Sequence, residues 1–259
     1  MDPIHYSTYP QGVSVLTINR PKVRNALNWE AMEAFSNQIE SVQKDPELQT
    51  LIVTGAEGTF CAGGDLKELM DYPSFDDGVR LSSTMGDALK KLEELPCPTI
   101  AAIEGHAIGG GAEIALACDM RVMSEEATIG LSHIRLGIGP AWGGGQRLLR
   151  LVGYARAIEW LSTGRWLSGI EALKAGLVNR LVERGQALES AIDLATSITR
   201  NPPQVVQAIK NFLRVGISQD GCDAESVEYS TFAKLWASPI HHEIAERYFN
   251  AIQKRTKKK

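Results

Sequence analysis

The amino-acid sequence predicts an α/β protein with a largely parallel sheet. Two observations carry this. Short β-branched or apolar runs at residues 50–54, 99–103 and 120–123 alternate with stretches whose apolar residues recur at helical spacing. The first two runs lead into glycine-rich turns, residues 55–64 and 105–111, the punctuation expected where a buried strand hands over to a helix.

The elements follow in order. Ile4 and Tyr6, then Val13, Val15 and Thr17, alternate around Pro10-Gln11-Gly12 and predict a β-hairpin that Pro21 ends. After Asn28, a candidate helix cap, Met32, Phe35, Ile39 and Val42 repeat at helical spacing until Pro46. Residues 76–94 read as a helix with Val79, Met85, Leu89 and Leu92 inward, stopped by Pro96-Cys97-Pro98. The second glycine turn runs into an apolar helix at 112–118. Beyond residue 143 strand signals thin out, and residues 146–152, 155–161, 169–175, 188–199, 203–215, 224–237 and 240–253 read as helices. We expect an α/β core over residues 1–195 and a C-terminal helical region over 196–259.

Composition narrows the function classes. With 44% hydrophobic and 22% charged residues, 259 residues bury a core without metal or disulfide staples. A net charge of −4 speaks against nucleic acid, which needs a clustered basic surface. Cys61, Cys97, Cys118 and Cys222 form no C-x-x-C pair and have no histidine at ligand spacing, so no metal is expected, and a reducing cytoplasmic compartment is. No segment approaches the roughly 20 apolar residues of a membrane span. The first thirty residues carry Asp2, His5, Arg20 and Arg24 and hold no apolar stretch of the kind a secretory signal needs.

Glycine after a buried strand lets backbone N–H groups approach a ligand, and a helix start adds partial positive charge. Residues 60–65 and 108–113 each meet both conditions, so each turn can offer one N–H to a single oxygen, the arrangement of an oxyanion hole. Tight turns that serve packing alone read equally well. No G-x-G-x-x-G, Walker loop or G-x-S-x-G stands in the chain, which removes the dinucleotide, phosphate-loop and serine-hydrolase readings. Glu113, one turn beyond the second glycine turn on an otherwise apolar helix, suits a general acid or base. It also suits a glutamate that caps its own helix.

Four segments together resemble the crotonase superfamily, the enoyl-CoA hydratases, isomerases and their relatives. They are Asn19-Arg20-Pro21 with Arg24-Asn25-Ala26-Leu27, residues 60–69 (FCAGGDLKEL), residues 105–119 (GHAIGGGAEIALACD) and residues 137–147 (GIGPAWGGGQR). The resemblance implies the crotonase, ClpP-like, fold of repeated ββα units with a C-terminal helical region that builds a trimer or a dimer of trimers. It implies an acyl-CoA substrate and no separate cofactor. It makes Gly64 and Gly110 the two oxyanion donors and Glu113 a catalytic residue. It lays the CoA path along Arg24 and the stretch Ala62, Gly63, Gly64, Asp65 and Leu66. Ala26 joins this path, Lys67 reads as a point charge for a CoA phosphate or as an ordinary solvated lysine, and Trp142 as lining the acyl pocket or only filling core.

One position departs from the hydratase pattern. Where hydratases of this family carry a second glutamate, this chain has His133, in an ungapped context Ser132-His133-Ile134-Arg135-Leu136-Gly137. Histidine still moves protons near neutrality, and a purely structural, hydrogen-bonded histidine fits as well. This residue, Pro140-Ala141-Trp142-Gly143-Gly144 and Leu235-Trp236-Ala237-Ser238-Pro239 also resemble the ethylmalonyl-CoA decarboxylase branch. Enoyl-CoA hydration is the leading expectation, decarboxylation of a malonyl-type thioester the second, and isomerisation the third. A non-catalytic CoA-binding or RNA-binding relative comes last. Outside this set, Asp65 reads mainly as a helix cap, Cys61 as a buried structural thiol, and His241 with His242 as a poor metal pair.

Overall fold

The computed structural model describes residues 2–218 and Glu243, and it divides into one unit of Met1–Arg200 and another of Asn201–Lys259. In the first unit β1 (Ile4–Tyr9), β2 (Val13–Ile18), α1 (Trp29–Val42) and β3 (Thr50–Gly55) come first. The short α2 (Leu66–Leu69), α3 (Phe75–Glu94), β4 (Thr99–Ile103), β5 (His106–Ile108) and α4 (Gly110–Ala117) follow. Then come β6 (Met120–Ser124), β7 (Thr128–Gly130), a 3-10 turn at His133–Leu136, α5 (Gly144–Val152) and α6 (Tyr154–Thr163). Finally β8 (Leu167–Ser168), α7 (Gly169–Lys174), β9 (Arg180–Val182) and α8 (Ala187–Thr199) close the unit. The described part of the second unit is α9 (Pro203–Ser218). The expected helices at 224–237 and 240–253, Leu235-Trp236-Ala237-Ser238-Pro239, His241 with His242, and Cys222 lie outside the described residues.

The main sheet runs β1-β2-β3-β4-β6-β9 and is parallel except for the β1–β2 hairpin. A smaller sheet, β5-β7-β8, stands beside it. The expected α/β architecture is therefore present. Helices cover both faces of the main sheet, which is why β2 is apolar on both phases. Leu16 and Ile18 join the larger core with Phe35, Leu51 and Val53. Val13 and Val15 pack with Ile52, Ile100 and Val122 against Ala191 and Ala195 of α8. Among the described residues no helix is long and apolar enough to cross a membrane, and no cluster of three His, Cys, Asp or Glu side chains could hold a metal.

Local chemistry sets the helix ends. Asn28 Oδ1 accepts from Ala31 N–H at 3.1 Å and starts α1 as expected. Ser74 and Asp77 cap α3 reciprocally. Three expectations need correction. Val79 is 49% exposed, because the inward stripe of α3 begins only at Met85. α4 starts at Gly110 rather than at residue 112. Strands β5, β7, β8 and β9 went unread, being two or three residues long and too short to carry an alternation.

Candidate active site

The two glycine turns lie side by side. Cys61 N–H donates to His106 O at 3.1 Å and Ile108 N–H donates to Cys61 O at 3.0 Å, so the chain after β3 pairs with β5 like an added strand. Leu27 N–H donates to Gly63 O and Asp65 N–H to Leu27 O, both at 2.8 Å, which pins the other flank. The turns come so close that a Cβ on Gly63, whose φ is +96°, would fall 3.0 Å from Gly110 N. Among the described residues neither Gly64 N–H nor Gly110 N–H is bonded to a protein acceptor. Gly110 is the first residue of α4, where an N–H has no intrahelical partner. Both donors are thus unbonded among the described residues, on adjoining turns.

Glu113 is 1% exposed on the same helix, and its carboxylate is surrounded by donors. Oε1 accepts from Trp142 N–H at 2.8 Å and from Gly144 N–H at 2.9 Å. Gly144 opens α5, so the carboxylate sits at that helix's positive end. The alternative that Glu113 caps its own helix is therefore closed. It caps a neighbour. Oε2 lies 3.1 Å from His133 Nε2. His133 is 11% exposed, and its Nδ1 is buried with no partner among the described residues. The imidazole also lies beside the second glycine turn, with Nε2 3.9 Å from where a Gly109 Cβ would stand. On its outer side it lines an open cleft of about 410 Å³ with Leu131, Ile138, Pro140 and Leu161.

Trp142 is buried, and its ring covers the start of α4. A Cβ on Gly110 would fall 2.1 Å from Trp142 Cζ3. The indole Nε1 donates to Leu81 O at 3.2 Å. Trp142 therefore fills core and walls the site at once. Burial pushes the Cys61 thiol up to about 12, against which Gly63 N–H donates to Sγ at 3.3 Å. That is an inert structural thiol, as expected.

The residues expected along a CoA path form one strip. Ala62 N–H donates to Arg24 O at 3.1 Å, which aligns residues 24–27 with residues 62–65. Arg24, Leu66 and Lys67 are exposed, Ala62 and Gly64 are half-buried, and Ala26 and Gly63 are buried. Asp65 occupies the cap position of α2, yet its side chain makes no cap hydrogen bond. Its carboxylate instead pairs with Arg20 at 3.0 Å, an arginine that also donates to Ala26 O, so the expected cap is corrected to a brace between the two segments. Sequence reasoning missed Arg20 in this role, and missed Arg147 and Glu93, which meet behind Trp142.

Comparison with known proteins identifies the family. Residues 8–253 match the enoyl-CoA hydratase/isomerase family. The chain is 37% identical to a short-chain-enoyl-CoA hydratase of Clostridium acetobutylicum, covering 87% of each protein. It is 42% identical to an enoyl-CoA hydratase of Mycobacterium tuberculosis, over 77% of this chain and 76% of that one. An enoyl-CoA hydratase structure from Bacillus anthracis superimposes with a TM-score of 0.91 at 33% identity, covering 96% of each chain. The chain belongs to the enoyl-CoA hydratase/isomerase family, and its fold is the crotonase fold.

Proposed function

We propose that this chain is a lyase that adds water across the double bond of a short or medium enoyl-CoA. The observation that carries the reading is one buried carboxylate, Glu113, on the same helix whose first N–H is unbonded beside a turn that carries a second unbonded N–H. The water oxygen bonds to Cβ and its proton passes to Glu113. The double-bond electrons move onto the thioester oxygen, which Gly64 and Gly110 N–H hold. Cα then takes a proton from Glu113, which returns to its carboxylate form as the thioester is restored, so water supplies everything added and no cofactor beyond the substrate's own CoA is required. Losing one such donor costs about 3–4 kcal/mol of transition-state stabilisation. His133, whose Nε2 lies 3.1 Å from Oε2, faces the second oxygen and shares the proton traffic.

The exposed Arg24 and Lys67 offer charge to the CoA phosphates, and Ala62, Gly63 and Leu66 with Asp65 and Ala26 shape the strip between them. The large apolar side chains left exposed at Ile134, Leu136, Tyr154, Ile158 and Ile170 support a homo-oligomer, and the buried free thiols suit the cytoplasm. Sedimentation would report the oligomer directly.

A second reading has its own observation: Glu113 meets an imidazole rather than another carboxylate. Loss of carbon dioxide from a malonyl-type thioester leaves its electron pair on the same oxygen and needs one proton donor, Glu113 or His133. Incubation with crotonyl-CoA and with ethylmalonyl-CoA, followed by mass analysis, separates the two. Gain of water on crotonyl-CoA supports hydration, and carbon dioxide loss alone overturns it.

A further inference from the structure

We propose that Arg147, anchored by Glu93, is a positioning residue for the Glu113 carboxylate. The inference rests on Glu113 acting on the substrate. The guanidinium is 9% exposed, and its side-chain hydrogen bonds among the described residues go to Trp142 and Glu93. Its Nη1 donates to Trp142 O at 2.7 Å, while Nε and Nη2 both reach Glu93 Oε2, at 3.2 and 3.0 Å. Trp142 therefore has its carbonyl held by Arg147 and its N–H given to Glu113 Oε1 at 2.8 Å. The next donor to that oxygen, Gly144 N–H, follows two residues on. A Cβ on Gly143 would meet Arg147 Nη1 at 2.8 Å, so the arginine also abuts the peptide between the two donors.

Helix α3 completes the frame. Its Leu81 O takes the indole N–H of Trp142, and its Glu93 takes the arginine. Residues 142–144 are thus clamped from behind at a carbonyl and at a ring, which leaves their N–H groups aimed at one carboxylate oxygen. Oε2 is the oxygen left for His133 and the substrate. A planar fork fits this task. An ammonium on the same backbone position lacks the second arm and cannot hold Trp142 O and Glu93 together.

The test is crotonyl-CoA hydration by the wild type, Glu113→Gln, Arg147→Met and the double variant. Displacing a reacting group by about 1 Å costs roughly a hundredfold, so Arg147→Met should lower kcat by about that factor. KM should stay within about twofold, because no substrate contact is removed. The double variant should be no slower than Glu113→Gln, since there is then no acid or base to misplace. A loss in Arg147→Met that multiplies in full with that of Glu113→Gln, or that falls on KM, overturns the proposal. If Arg147→Met does not fold, Glu93→Gln keeps the arginine and loosens its anchor, with a smaller kcat loss and the same non-additivity expected. Arg147→Lys should keep the melting temperature closer to wild type than its kcat, and full recovery of kcat overturns the role of the fork. Undiminished activity in Glu113→Gln alone would overturn the reading of Glu113 itself.

Discussion

Glu113 Oε1 accepts from two backbone N–H groups, and Oε2 faces His133 Nε2 at 3.1 Å. Removing its charge in Glu113→Gln should lower kcat for crotonyl-CoA by about 10²–10⁴, the usual contribution of a positioned acid or base, with folding intact. His133→Glu would set a second carboxylate against the first, so that the pair shares a proton, and should raise the hydration rate; an unchanged rate would mean that position 133 does not supply the second proton group. Cys61 gives a pH prediction. Its folded value, about 12, lies above the ordinary 9.0. Stability from this group is complete below about pH 9 and is lost between about pH 9 and pH 12, because the unfolded chain ionises first. Cys61→Ala should flatten that decline, read as the difference between two denaturation series. At this scale Gly64 and Gly110 came from the family resemblance, while the glycine turns that hold them and Glu113 beside the second were legible from spacing. The His133 contact was not, since nothing local tells which atoms a loop twenty residues away will meet.

Helix α4 is buried along its whole length, so its ends must be satisfied from inside the protein. At the N-terminus the unbonded Gly110 N–H belongs to the proposed site. At the C-terminus Arg121, buried itself, donates to the carbonyls of Ala115 and Cys118, and to that of Leu177 from the far side. Arg121→Met would leave those carbonyls dry and unpaired and should cost about 3 kcal/mol or more, measured by chemical denaturation. The apolar run of α4 read easily from sequence. Its true start did not, because glycines look like loop until a neighbouring ring such as that of Trp142 packs over them. The short strands β5 and β7 escaped for a related reason. They exist because the chain after β3 and β8 pair with them, and pairing partners are not local information.

Across the first unit as a whole, one apolar layer lies on each face of the main sheet. The α8 side is thin and built on alanine, so Ala191→Glu should place an unpaired charge where no water reaches and lower the denaturation midpoint sharply; a midpoint near wild type would mean that this face is less tightly closed than its burial implies. The strand and helix order that predicted this layering was visible because parallel strands buried on both sides read as continuous apolar runs. The proposed acid or base and one proposed oxygen-binding amide ride on a single rod, every residue of which is locked in the interior, whereas the 3-10 turn that begins with His133 has no residue fully enclosed. Evolution can therefore swap the partner across from Glu113 at little structural expense, retooling the chemistry by exchanging a removable bit in a fixed chuck.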